Sequence, residues 1–253
     1  MTLDPDTSIQ VCGRLVVQSG AHRIEDRLPG RQGRVLFAYL VLHRTRDVPA
    51  AELETALWPD GETAPPNASA TLRTLVSKTR AAVGAEVLGR GPLYRLRLHT
   101  GVRVDLESAT AALHDAEAAI AAEDWHRAWG PSQVALFTAR RGFLPGEDAP
   151  WIEEQRRALG DLELRALECY ASAALGVGGS ELPGAERSAR RLVEREPYRE
   201  SGYRLLMRAL AERGNVAEAL RTFDRLSARL REDLGADPSP ESRALQAELL
   251  RST

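Results

Sequence analysis

The sequence predicts an α+β unit at the front of the chain and an all-α half behind it. Three observations lead there. The first thirty residues alternate as strands do, and three segments of helical period follow. A Gly-Pro turn and the alternating stretch "LYRLRL" then close the first hundred residues. From about Leu106 onward every substantial segment has the helical period.

The front elements follow in order. "IQVCGRLVV" sets Ile9, Val11, Leu15 and Val17 on one alternating face, interrupted at Gly13. "QSGAH" supplies a turn, "RIEDRL" returns as a short strand, and "PGRQG" punctuates. Residues 31–43 form a helix, with Val35, Leu36, Tyr39, Leu40 and Leu42 on a broad apolar face. "RTRDVP" breaks it, and a short helix over 50–57 ends at Trp58-Pro59. Proline suits a first helical turn, where its missing N–H costs nothing. A third helix is therefore expected from Pro65 or Pro66 to Val83, with Gly84 ending it. "EVL", the turn "GRGP" and "LYRLRL" read as a β-hairpin with Tyr94, Leu96 and Leu98 on one side and Arg95 and Arg97 on the other. Strands, three helices and a hairpin make a trihelical unit finished by a wing. "GVRVDLESA" reads as the junction to the second half.

Seven helices are expected there, over 108–122, 125–138, 150–175, 184–194, 200–213, 216–234 and 240–250. The breaks between them include "AED", "RRGFLPGEDA", "GVGGSEL" and "GADPSP". "YRLLMRALAERGNVAEALRTFDRL" pairs two helices about a Gly-Asn turn, with Ala219 and Phe223 in an A-x3-F arrangement. It resembles a tetratricopeptide-type helix pair, as does the "DWHRA" turn at 124–128.

Composition narrows the function. The chain has 253 residues, 43% hydrophobic and 28% charged, as globular proteins do. The N-terminus has neither the basic nor the apolar region of a secretory signal, and no apolar run approaches the ~20 residues of a membrane helix. A cytoplasmic, nucleoid-associated protein is the expectation, with no membrane partner. Cys12 and Cys169 lie far apart and fit no zinc spacing. No phosphate loop, HExxH or G-x-S-x-G motif occurs, and the five histidines are scattered. No enzyme, cofactor or metal is expected. Residues 1–104 hold 14 Lys+Arg against 10 Asp+Glu, whereas the remainder holds 20 against 26. A mildly basic front joined to an acidic back fits a nucleic-acid-facing domain followed by a protein-facing one.

The stretch "NASATLRTLVSKTRAAV" carries the sharpest signal, and Lys78 within it is the only lysine in the chain. At about 100° per residue, Ala68, Leu72, Leu75, Val76, Thr79 and Val83 share one arc. The opposite arc holds Asn67, Ala70, Thr74, Ser77 and Lys78, flanked by Arg73 and Arg80, with no acid. A solvated helix face more often alternates charge signs. A face entering a DNA major groove needs cations for guanine edges and phosphates, short hydroxyls for hydrogen bonds, and a small residue for close approach. Arg73, Thr74, Ser77 and Lys78 are thus expected at bases or nearby phosphates. Arg31, Arg34, Arg80, Arg90, Arg95 and Arg97 are expected at the backbone or minor groove.

"RLPGRQGRVLFAYLVLHRTRDVPAAELETALWPD", followed by a helix carrying "LVSKTRAAVG", resembles the DNA-binding domain of the Streptomyces antibiotic regulatory protein (SARP) family. "DAPWIEEQRRALGDLELRALECYASAAL" and the stretch from "RESGYRLLMRAL" to "RALQAELL" resemble the bacterial transcriptional activation domain (BTAD) that follows it in that family. The resemblance implies an OmpR-type winged helix-turn-helix over 1–103 and a TPR-like activation domain over 104–253. It implies an activator that binds direct repeats of double-stranded DNA as a homodimer and recruits RNA polymerase holoenzyme. Its recognition helix falls on 66–83, with Leu75 where a histidine is common and Thr79 where a leucine is common. The wing keeps Tyr94 and Arg95, but its glycine is displaced. The alternative is a ligand-gated sensor, in which Trp125, Trp129, Trp151 and Tyr203 frame a groove for a small effector or partner peptide.

Overall fold

Ile9 and Val17 face each other across the first two strands, and their burial sets the register of the front unit. The structure is a computed structural model that describes residues 3, 5–60, 64–84 and 91–251. Its contacts divide the chain into two compact units, Met1–Ser108 with Arg141–Gly160, and Ala109–Arg140 with Asp161–Thr253.

In the first unit, β1 (Ser8–Gln10) pairs antiparallel with β2 (Val16–Ser19), which pairs antiparallel with β3 (His22–Arg23). A 3-10 turn over Glu25–Arg27 leads into α1 (Gly30–Leu42). Every residue from Val35 to Val41 is buried, so α1 is the central helix rather than a surface one. β4 (Val48–Pro49) leads directly into α2 (Ala50–Leu57), and α3 (Ala68–Val83) follows. The expected start at Pro65 or Pro66 moves to Ala68 because Asn67 takes the cap: its side-chain oxygen accepts the Ala70 N–H at 3.0 Å.

β5 (Leu93–Tyr94) pairs antiparallel with β4, Val48 opposite Tyr94. The expected hairpin partner of this strand, "EVL", lies outside the described residues. "GVRV" becomes β6 (Arg103–Val104), which joins the edge of the first sheet parallel to β1 and completes the order β3-β2-β1-β6. Two residues are too few to show a period, so this junction could not be read as a strand.

The connection between α1 and α2 is pinned by a compact polar group. Tyr39 of α1 donates to Glu52 of α2 at 2.6 Å, and Arg46 from the loop donates to the same carboxylate at 2.9 Å. Hydrogen bonds from Arg46 and Tyr39 outweigh desolvation and hold Glu52 down at about 2. Burial, then the bond to Glu52, pushes the Tyr39 phenol up to about 12.

The loop "RRGFLPGEDA" is part of this unit. The Gly13 N–H donates to the Gly142 carbonyl at 2.6 Å, and Phe143 is buried to 1% exposure. Arg156 donates to the carbonyls of Phe143, Leu144 and Glu147 at 2.7–3.1 Å. The Trp151 indole N–H donates to the Ala56 carbonyl at 3.1 Å, and its ring meets Tyr39 edge-on with centroids 5.1 Å apart.

The remaining helices are α4 (Asp105–Ala121), α5 (Trp125–Ala139), α6 (Pro150–Val177), α7 (Leu182–Arg195), α8 (Glu200–Glu212), α9 (Val216–Leu234) and α10 (Pro240–Arg251). In the second unit α7, α8 and α9 pack in succession, and α10 closes on α8 and α9. Ala189, Leu206, Met207, Leu210, Ala219, Phe223, Leu245 and Leu249 form its main core. Gly176 is required by packing: a Cβ there would lie 2.2 Å from the Trp125 ring.

Two outcomes follow. Glu52 carries a folded-state pKa below the ordinary 4.5, so its stabilisation is present above that value and is lost as pH falls toward about 2. Glu52→Gln should flatten the acid side of the stability-versus-pH curve, measured by urea unfolding at pH steps from 7 to 3; an unchanged acid limb contradicts it. Thr79 is fully buried on α3, and its hydroxyl has no hydrogen-bond partner. Thr79→Val removes that desolvated hydroxyl at constant shape and should stabilise the chain by roughly 1–2 kcal/mol. A lower urea midpoint would contradict it.

Candidate nucleic-acid interface

α3 is held by its apolar side. Leu72, Leu75, Val76, Thr79, Ala82 and Val83 are buried, and the helix packs on both α1 and α2. Ala68, expected with them, is half-buried. With that side fixed, the helix has no rotational freedom left, and Arg73, Thr74, Ser77, Lys78 and Ala81 stand exposed. No described ion pair involves Arg73 or Lys78. Thr74 donates its hydroxyl back to the Ala70 carbonyl at 3.0 Å, which leaves its methyl and lone pairs outward. The first turn of α3 has no acid.

Two open clefts flank the exposed ridge. One, of about 660 Å³, lies toward α2 and β5 and is lined by Arg73, Ser77, Arg80, Ala50, Pro92 and Tyr94 among others. The other, of about 680 Å³, lies toward the start of α1 and is lined by Thr71, Thr74, Lys78, Ala81, Arg27 and Gly30 among others. A ridge between two clefts is the relief a helix needs to enter a DNA groove whose walls are phosphate backbones. Among the described residues that line the two clefts, Glu54 of α2 is the one acid: it accepts the Ser69 hydroxyl at 2.7 Å.

Five of the sequence-derived residues therefore share this ridge: Arg73, Thr74, Ser77, Lys78 and the half-buried Arg80. Arg97 is exposed on the strand side. Arg90 lies outside the described residues. Arg95 faces away from buried Tyr94 and Leu96 and also bonds within the fold. Its guanidinium donates to the carbonyls of Arg44 at 3.3 Å and Thr45 at 3.0 Å, and it lies 4.0 Å from Asp47. It ties the strand to the α1–α2 loop. Arg31 donates to Glu147 at 2.6 Å, and Arg34 lines a separate cleft with Arg14 and Arg23. The structure brings neither to the α3 clefts. Arg27 was missed. It lies more than forty residues before α3 in a turn, and only the folded chain sets it beside Lys78. Gly91 supplies the close approach that the displaced wing glycine left open: a Cβ there would lie 2.5 Å from the Tyr94 hydroxyl oxygen.

The aromatics considered for an effector groove serve packing. Trp125 lies against Gly176, and Trp129 packs among alanines with its N–H donating to Glu181 at 2.9 Å. Tyr203 is buried and donates to the Pro197 carbonyl at 3.0 Å. Burial pushes both cysteine thiols up to about 12. Among the described residues, no group of three or more His, Cys, Asp or Glu could hold a metal ion, and no helix is long and apolar enough to cross a membrane.

Residues 104–250 match the family model described as the bacterial transcriptional activator domain. The regulatory protein AfsR of Streptomyces griseus is 33% identical over 222 residues, covering 87% of this chain and 22% of AfsR. The transcriptional regulatory protein MoaR1 of Mycobacterium tuberculosis is 30% identical over 229 residues, covering 86% of this chain and 71% of MoaR1. The chain thus spans about a fifth of the AfsR regulators it matches. A solved structure of Mycobacterium tuberculosis EmbR, in complex with a low affinity phosphopeptide, superposes with a TM-score of 0.81 at 27% identity, covering 98% of this chain and 66% of that one. These relatives are named as regulators, not as enzymes. The chain belongs to the SARP family of transcriptional regulators and carries the bacterial transcriptional activator domain.

Proposed function

We propose that the chain is a sequence-specific DNA-binding activator that binds direct-repeat promoter sites as a homodimer and recruits RNA polymerase holoenzyme. The observation that carries this reading is the exposed face of α3, where cations and short hydroxyls stand between two clefts without an acid of their own helix. In this reading residues 1–103 act as an OmpR-type winged helix-turn-helix, and 104–253 act as a TPR-like activation domain. Arg73, Thr74, Ser77 and Lys78 read base edges or grip the nearest phosphates. Arg80, Arg97 and Arg27 hold the backbone on either side. Family membership supports the regulatory role, and the acidic second half suits a basic protein surface rather than DNA. The protein acts in the cytoplasm.

Arg73→Ala combined with Lys78→Ala should weaken binding to DNA recovered by genomic footprinting by roughly 1–3 kcal/mol per lost contact, with an unchanged unfolding midpoint. Unchanged affinity at matched salt would reject the α3 assignment. Arg97→Ala should flatten the log K versus log[salt] slope by about 0.9, the share of one phosphate contact. A slope equal to that of the unmodified chain would remove Arg97 from the interface.

A further inference from the structure

Glu54 stands half-buried on α2, in the cleft that Arg73, Ser77 and Arg80 also line. Its Oε1 accepts the hydroxyl of exposed Ser69, in the first turn of α3, at 2.7 Å. The positive end of α3 favours a carboxylate at that place, and the bond through Oε1 meets that need. Oε2 is left over. Among the described residues it has no hydrogen-bond partner, yet it is not shut away from solvent. Arg73 lines the same cleft and forms no ion pair with Glu54 among the described residues.

That placement is costly on a surface that grips phosphates. Arg73 and Arg80 attract the backbone of any DNA, whereas a free carboxylate beside them repels it whatever the sequence. The repulsion is offset only where the DNA brings a hydrogen-bond donor to Oε2. On the major-groove edge those donors are the amino groups of cytosine and adenine. Ser69 narrows the choice. Its proton is committed to Glu54, so toward DNA its oxygen can only accept. Adenine sets an acceptor, N7, beside its amino group, and two adjoining protein acceptors oppose it. Cytosine sets no acceptor beside N4.

We propose that Glu54 is a specificity-determining residue: its free carboxylate oxygen accepts the N4 amino group of one cytosine, at the end of the binding site met by the first turn of α3. The same charge rejects sequences that offer no amino group there, so the residue lowers affinity for DNA in general and sharpens discrimination. Carboxylate and cation are complementary, since Arg73 suits guanine O6 and N7 while Glu54 suits cytosine N4. This inference rests on the reading of α3 as the DNA-facing helix, and the test separates the two.

Selection of bound sequences from a random DNA library, scored base by base at matched salt, tests it with the full chain and two variants. The unmodified chain should prefer cytosine at one position by roughly tenfold or more. Glu54→Ala should reduce that preference to within about twofold, keep the rest of the motif and bind random DNA more tightly. Glu54→Gln keeps an oxygen for the Ser69 bond and replaces Oε2 with an amide donor. Its preference should move from cytosine to a base that offers an acceptor, an outcome that a mere tie between α2 and α3 does not produce. Three identical motifs, or a Gln variant that still selects cytosine, overturn the proposal. So does a Glu54→Ala chain that loses preference at every position alike with a lower unfolding midpoint. If Arg73→Ala with Lys78→Ala keeps the unmodified affinity and motif, the α3 reading fails and takes this inference with it. Lost binding in that double variant, beside unchanged motifs in the Glu54 variants, confines the failure to Glu54.

Discussion

The burial of Leu72, Leu75, Val76, Thr79 and Val83 against α1 and α2 is the constraint on which the rest depends. Side chains of this size are each worth roughly 1.5–3 kcal/mol when fully buried, so any rotation of α3 that exposes them is excluded. A helix has one remaining degree of freedom once its axis is set, and this packing removes it. Arg73, Thr74, Ser77 and Lys78 are exposed because the opposite side is occupied. Their outward positions are a consequence of the core, not of their own polarity.

The supporting elements serve that arrangement. α2 can brace α3 only if it is itself fixed to α1, and the Tyr39–Glu52–Arg46 group fixes it with hydrogen bonds that favour the ionised carboxylate. Arg95 extends the same frame to the strand side by bridging to loop carbonyls. The loop at 142–149 and Trp151 close over α1 and α2 from a distant part of the sequence. Electrostatics and packing therefore divide the labour. Apolar side chains set the position of α3, and charged hydrogen bonds lock the elements behind it.

Most of this was legible where the signal is periodic. The helices of the second half begin and end within a few residues of the expected bounds, because 3.6-residue periodicity and Gly, Pro or Asn punctuation are local properties. The exposed and buried arcs of α3 were legible for the same reason. What failed was non-local. β6 is two residues long and is a strand only because β1 lies beside it. Phe143 looked like part of a loop and is core, because Cys12 and Gly13 pair with it across 130 residues of sequence. Arg95 alternates away from buried Tyr94 and Leu96 as strand period implies, but alternation cannot show that its guanidinium also reaches the carbonyls of Arg44 and Thr45. Arg27 belongs to the α3 cleft through tertiary structure only.

The central claim is that the exposed ridge of α3 touches DNA bases. Site-specific photo-crosslinking tests it most directly. A benzophenone side chain placed at Ser77, with one at exposed Arg187 of the helical unit as the reference, would be irradiated on promoter DNA recovered by footprinting. The account predicts crosslinks from position 77 to bases within the protected sequence and none from position 187. Crosslinks from 187 with a silent position 77 would contradict it.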